Sequence, residues 1–590
     1  MQSFFLPCTR FAMVVLFALL ILSTSVDVAQ AQVDALTAER LVEGVTVGTR
    51  PVASTGEILL PLITWGGDIA TIYTHTQGIF AQEGLNVKLQ REDKFKSQVE
   101  ACIGGVTPYL RGTMGMINAA AEAFKAKGLE LVVIYQLTWS VGGDAMVVRS
   151  NIKKPANLKG KKIALQLYGP HMDYVANILN TSKISLSDIS LTWLSELTLP
   201  TYDTFGKIID PVSAFQADES IDAVMCIIPD ALMLTSGGKT GTGAEGSVGG
   251  AKILISSKTA SRVIADVYAV RKDYFDAHKA EVQKFVHALM RGQEALVDLL
   301  KNKKSQQAVY MQLLTASADM LLGASQATAD AEALLGDCEF VGHDGNVRFF
   351  TGKGTTRKFS TLNREIQKSY GNMGLMIGTV PIESANWDYK ALSQGLKYAT
   401  LVSTTVASKP KSKPKPKFDT QKITQKIEEQ ISVEPATWAE EGTLFIVEIY
   451  FDPNQSNFSV ERYSGDFQKA LEIAQTYGGA LIIIEGHSDP LGILTARKDG
   501  KKLPAEIAQM EQKAKTLALQ RANAVRQSFL DFCQQSDLVI DSSQFVPIGL
   551  GIASPKYSPP RTKEEWAANR RVVFRIKQIE AELAEFVPLQ

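Results

Sequence analysis

Apolar and polar residues change their rhythm several times along the chain. Short apolar runs, "EILLPLITW" (57–65), "LELVVIYQL" (129–137), "KKIALQLY" (161–168), "IDAVMCII" (221–228) and "KILIS" (252–256), read as strands. Helical patterns lie between them, as in "IATIYTHTQGIFAQEG" and "HMDYVANILN". This alternation predicts α/β structure, with parallel sheets covered by helices. A long helix follows, on which Val282, Phe285, Val286, Leu289, Leu296 and Leu300 fall on one stripe. So long a stretch exceeds one doubly wound sheet, and two lobes are expected.

After residue 440 the pattern changes. "TLFIVEIYF" (443–451) and "GALIIIEG" (479–486) read as strands, and Pro504 opens a long helix to about 532. "FVPIGLG" (545–551) and "RRVVFRI" (570–576) alternate as strands with one buried face. These elements predict a separate, compact α+β domain. Between the two parts, "KPKSKPKPK" (409–417) allows neither helix nor sheet ladders and reads as a semi-rigid spacer. In polyproline geometry it spans on the order of 28 Å. The same tract could also touch anionic envelope polymers.

Composition then narrows the class. The chain has 590 residues, 45% hydrophobic, with 62 basic and 62 acidic side chains and so no basic surplus for nucleic acid. Arg10, the apolar run Phe11 to Leu22 and "AQA" at 29–31 read as a cleaved secretory signal, an uncleaved anchor being the alternative. The boundaries expected are signal peptide 1–31, module 32–400, linker 401–440 and C-terminal domain 441–590. Cys102, Cys226, Cys338 and Cys533 lack any CxxC spacing, so sequence chooses neither a pairing nor free thiols. No histidine falls in a metal-ligand spacing, and no cofactor is expected. "SGGKTGTGAEGSVGG" holds Gly-Lys-Thr, but Met233 stands where a phosphate loop needs Gly. No nucleophile and base stand in a recognisable context, which leaves an enzyme reading with little to rest on.

In the C-terminal part, Arg521 lies on the apolar stripe of Ile507, Met510, Ala514, Leu517, Val525 and Phe529. A guanidinium there needs a partner, either an internal carboxylate or a ligand anion. Asp489, at the end of a strand, could be that carboxylate, or could join Arg521 in holding a zwitterion.

"GHSD" (486–489), "LALQRANAV" on the next helix, "GLG" and "NRRVVFRI" together resemble the OmpA-like peptidoglycan-binding domain, over about 440–580. The resemblance implies that Asp489 and Arg521 grip the diaminopimelate of a wall peptide. It places Asn569 and Arg570 near the same pocket, with His487 and Ser488 of the motif beside Asp489. Ala518 and Ala514 replace the family's Ser and Asn, and the loop holding "KDGKKLP" is longer than usual.

"LITWGGDIATIYTHTQGIFAQEGLNVKL" (62–89), "ANLKGKKIALQLYGPHMDYVANIL" and "IDAVMCIIPDALML" resemble periplasmic solute-binding proteins of the nitrate/sulfonate/taurine type. That implies a two-lobed periplasmic-binding-protein (type II) module over about 55–400. Ligands of such sheets lie beyond the carboxyl ends of strands. The expected solute contacts are therefore Trp65, Gly67, Asp68, Arg111, Thr113, Tyr168, His171 and Asp230. Asp68, Asp144 and Asp230 suit an amine, whereas Arg111 and the helix N-termini suit an anion.

The function expected is non-enzymatic. It is solute capture in the periplasm, for an ABC-transporter permease or for sensing, by a protein held on peptidoglycan. The alternative is a structural envelope protein whose module serves as a protein–protein platform.

Overall fold

The computed structural model describes residues 32–52, 56–401, 418–433, 443–458, 460–536, 538 and 540–577. The expected signal peptide and the Lys/Pro tract lie outside the described residues. Among those described, no helix is long and apolar enough to cross a membrane.

The first lobe holds a parallel pair, β1 (Ile58–Leu62) and β2 (Val87–Arg91), beside a mixed sheet. In that sheet β3 (Tyr109–Thr113) and β4 (Leu131–Ser140) flank β10 (Ala265–Arg271), and β11 (Cys338–Phe340) and β12 (Glu383–Ser384) pair with the outer side of β4. The second lobe is a sheet of β5 (Asp144–Val148), β6 (Lys162–Gln166), β7 (Ser190–Leu194), β8 (Ala223–Ile227) and β9 (Lys252–Ser256), in the order β7-β6-β8-β5-β9. The chain passes between lobes at 141–143 and returns at 257–264.

The sheets are mixed, not parallel as the alternation predicted. β10 runs antiparallel to β3 and β4, and β5 runs antiparallel to β8 and β9. Topology supplies the reason. The strands β3, β4, β6 and β8 end at the lobe junction, so a strand entering from that junction must run against them.

The long helix Lys279–Lys301 forms as its stripe predicts, with Val282, Phe285, Val286, Leu289 and Leu296 buried. The helical segment after β1 breaks at Gly78, whose φ of 66° ends one helix (Asp68–Thr76) and sets up the next (Ile79–Gln82). Cys102, Cys226, Cys338 and Cys533 are all buried, unpaired thiols.

The C-terminal unit is a sheet in the order β13-β16-β14-β15, from β13 (Thr443–Tyr450), β14 (Leu481–His487), β15 (Phe545–Gly551) and β16 (Arg571–Lys577). Among the described residues of this unit, β14 and β15 are the pair that runs parallel. The unbroken apolar run of β14 is explained by burial on both faces. Ile482 and Ile484 join the cluster of Phe467 and Phe529, while Leu481 and Ile483 meet Phe418, Ile423, Ile427 and Ile431. The last three lie on a helix, Thr420–Val433, within the stretch assigned on composition to the linker. Ile423, Ile427 and Ile431, four residues apart, give that helix the apolar face it buries, which composition did not show. This unit is not held apart from the lobes, because the buried apolar cluster runs on from Val263 and Tyr370 to Phe467 and Tyr477.

Candidate functional site

The lobe junction is built from residues at the ends of strands. On the first-lobe side, Arg111 of β3 lies between two carboxylates. Its Nε and Nη2 donate to Asp68 at 2.8–3.2 Å, and Nη1 donates to Asp266 Oδ1 at 3.0 Å. Asp68 opens the helix Asp68–Thr76, and Asp266 lies opposite Thr113 in the β10–β3 register. Thr138 Oγ1 donates to Asp266 Oδ2 at 3.0 Å and accepts from Trp65 Nε1 at 3.2 Å. Arg111 and Asp68 are both 0% exposed. Burial, outweighing the guanidinium, pushes the Asp68 carboxyl up to about 7, while the two carboxylates hold Arg111 more firmly charged.

The glycines explain how closely the loops approach. A Cβ on Gly67 would stand 2.8 Å from Thr138 Oγ1, and one on Gly143 would stand 2.7 Å from the Trp65 ring. Trp65 thus lies directly against the crossing segment. Thr113 caps the helix Met114–Ala126, its Oγ1 accepting from Met116 N at 3.2 Å.

The second lobe brings its own polar set. His171, first residue of the helix His171–Thr181, places Nε2 2.9 Å from Asp144 Oδ1. Ser140 donates to Asp144 Oδ2 at 2.5 Å, and Asp144 N donates to Ser257 Oγ at 3.0 Å. His171 Nδ1 is buried with no hydrogen-bond partner among the described residues, and so is Asp230 Oδ2. Asp230 is pushed up to about 6, first by burial and then by Asp210. Tyr168, at φ 58° in the turn after β6, donates its hydroxyl to Glu39 O. That bond ties the N-terminal segment to the second lobe.

Sequence reasoning did not reach Asp266, Thr138, Ser140, Ser257 or Asp173. Asp173 joins the lobes directly, accepting from Gly115 N at 3.0 Å and from Tyr370 Oη at 2.6 Å. Burial raises it to about 6. The one linear signal was an acid inside an apolar strand, as at Asp266 in "ADVYAV".

In the C-terminal unit, Arg521 is 1% exposed and has no carboxylate partner among the described residues. Its guanidinium donates instead to the carbonyls of Gln455, His487 and Asp452 at 2.8, 3.1 and 3.3 Å, and lies over the Phe451 ring. Burial, with the charge of Arg570 second, pushes it down to about 10. Arg570 Nη1 is 4.0 Å from Asp489 Oδ2, while Asp489 Oδ1 accepts from Leu491 N at 3.1 Å, an Asx turn. Arg521 is buried and Arg570 and Asp489 are only partly exposed, and together the three form a rim with one excess positive charge.

The rest of that expected set has other engagements. Asn569 is buried, its Oδ1 accepting from Lys556 N and Tyr557 N and its Nδ2 donating to Tyr557 O. Ser488 donates to Ala514 O at 2.9 Å. The His487 ring is buried, 3.9 Å from Glu485, and burial lowers its pKa.

Residues 68–299 match the family model described as NMT1/THI5 like. No curated protein matches the chain. Among solved structures, the aliphatic sulphonate binding protein SsuA from Escherichia coli is 15% identical, with 57% of this chain and 96% of that one covered and a TM-score of 0.37. The nitrate-binding protein NrtA from Synechocystis PCC 6803 is 10% identical, with 59% and 90% covered and a TM-score of 0.41. The desulfurization enzyme DSZB is 15% identical, with 55% and 94% covered and a TM-score of 0.33.

Proposed function

We propose that this chain is a non-enzymatic solute-binding protein of the ABC-import type, exported to the periplasm and held on peptidoglycan by its C-terminal unit. The observation that carries the solute-binding reading is the meeting of polar side chains from both lobes at the crossing segments. Trp65, Asp68 and Thr138 come from one side, and Asp144, His171 and Ser257 from the other. The family match over 68–299 supports the same reading. The charge balance favours a ligand bearing a cationic group over a free sulfonate or nitrate. Arg111 is already enclosed by two carboxylates, whereas Asp230 Oδ2 and His171 Nδ1 have no partner among the described residues.

The wall-binding arm is supported by Arg521, Arg570 and Asp489. A buried guanidinium held by neutral carbonyls is a seat for a carboxylate, and Asp489 beside it accepts an ammonium. Both groups occur on the free end of a diaminopimelate side chain.

One observation favours the second reading, a protein–protein platform. Asp68, Arg111, Thr113 and His171 are all at most 1% exposed, engaged with neighbouring protein groups. A thermal-shift panel of amines, carboxylates, sulfonates and nitrate on the full chain separates the two. A shift with amines that Asp230→Ala removes supports solute capture, and no shift with any member favours the platform. For the wall, sacculi should retain the full chain and release Asp489→Ala.

A further inference from the structure

The segment between the helix Ser464–Thr476 and β14 lies on the hinge of the lobes. It is a tight turn, Tyr477-Gly478-Gly479, entered from Gln475 and Thr476 at the end of that helix. Arg262 N donates to Thr476 O at 3.1 Å, and Gly479 N donates to Thr259 O at 3.1 Å. Thr259 and Arg262 belong to the crossing segment 257–264 itself. The approach leaves no room for side chains: a Cβ on Gly479 would stand 1.8 Å from Lys258 O.

The same turn holds both lobes at once. On the second lobe, Tyr477 Oη donates 3.1 Å to Asn177 Oδ1 and lies 3.2 Å from Thr181 Oγ1. On the first, Gln475 Oε1 accepts from Thr356 N and Oγ1, both at 2.6 Å. Tyr477 is 1% exposed, and its own carbonyl accepts from Gln544 Nε2 at 3.0 Å, so the ring is fixed from the C-terminal side too. Opening the lobes would carry Asn177 and Thr181 away from Thr356 and the crossing segment. A turn this short cannot follow both.

We propose that the C-terminal unit is a clasp on the hinge, docking only on the closed arrangement of the lobes. Lobe closure and docking are then one coupled equilibrium, and whatever stabilises either stabilises the other by the same free energy. The clasp leaves the Arg521 rim free. β14 starts beside Gly479 and its 7 residues lead to His487, which at ~3.3 Å per step puts about 20 Å between the two ends. A wall-held unit can therefore still report on, or bias, the state of the lobes. This inference needs only the hinge and holds whichever ligand the junction takes.

The test uses the full chain without added solute. Spin labels at Lys88→Cys and Glu219→Cys, both exposed and on different lobes, give the interlobe distance distribution by pulsed electron resonance. Hydrogen exchange at Arg262 and Gly479 reports the clasp itself. With the native clasp, both amides are protected and one short distance dominates. Gly479→Val should speed exchange at both amides by at least about tenfold and shift population to a longer distance. Tyr477→Phe removes only the bonds to the second lobe and gives the same shift in smaller degree, should Gly479→Val fail to fold. Loss of amide protection with an unchanged distance distribution overturns the proposal, and so does a native chain in which these amides are unprotected.

Discussion

Replacing Arg111 by Met tests the reading of the first-lobe triad. The substitution keeps the length and apolar stem of the side chain and removes donors that hold Asp68 and Asp266. Two carboxylates at near-zero exposure would face each other without a counterion. Breaking such a buried pair costs about 3–5 kcal/mol. For a module of this size that corresponds to a fall in Tm of roughly 4–7 °C. The deficit should depend on pH. Asp68 is raised, to about 7, above its unfolded value of 3.8, so its contribution is fully present below the unfolded pKa and lost as pH rises through the folded one. Without Arg111 both acids must stay protonated to remain buried, so the variant should lose more at pH 8 than at pH 5. Differential scanning calorimetry at both pH values measures this. Asp68→Asn and Asp266→Asn added together should restore part of the loss. An Arg111→Met protein that melts within a degree or two of wild type at pH 8 would refute the argument, and would leave Arg111 free to act as a ligand arm.

Further outcomes follow from the same geometry. Arg521→Met should cost no more than about 1 kcal/mol in urea titration, since it removes the conflict with Arg570 along with three carbonyl contacts, yet it should abolish retention on sacculi. Gly486→Ala places a Cβ 1.9 Å from Ala518 O and should destabilise the C-terminal unit by about 1–3 kcal/mol or more, read by chemical denaturation. Asp230→Asn should stabilise the chain by about 1–2 kcal/mol at pH 8 and little at pH 4. Its acid, raised to about 6, is protonated in the fold at low pH and must ionise at a cost as pH rises.

Periodicity alone determined most of the elements. The strands 58–62, 131–140, 162–166, 223–227 and 252–256, the helix His171–Thr181 and the long helices Lys279–Lys301 and Pro504–Gln535 all lie where apolar spacing put them. Such spacing is local: a side chain's face of a helix or strand depends on residues within a few positions of it. Sequence also brought Arg521 to notice, because a charge on an apolar stripe needs an account wherever the stripe packs.

Strand direction, pairing and burial of polar groups belonged to the tertiary structure. β5 and β10 run against their neighbours because of where the chain enters each lobe, a property of the path and not of the strands' own residues. Asp68, Arg111 and Asp266 stand far apart in sequence, and only the meeting of β3, β10 and the helix after β1 makes them one ion cluster. Nothing within reach of Tyr477 along the chain marks it as a hinge contact, since Asn177 and Thr181 lie some 300 residues away. A charge or a hydroxyl is committed by whichever group the fold sets against it, and that group is rarely a neighbour in sequence.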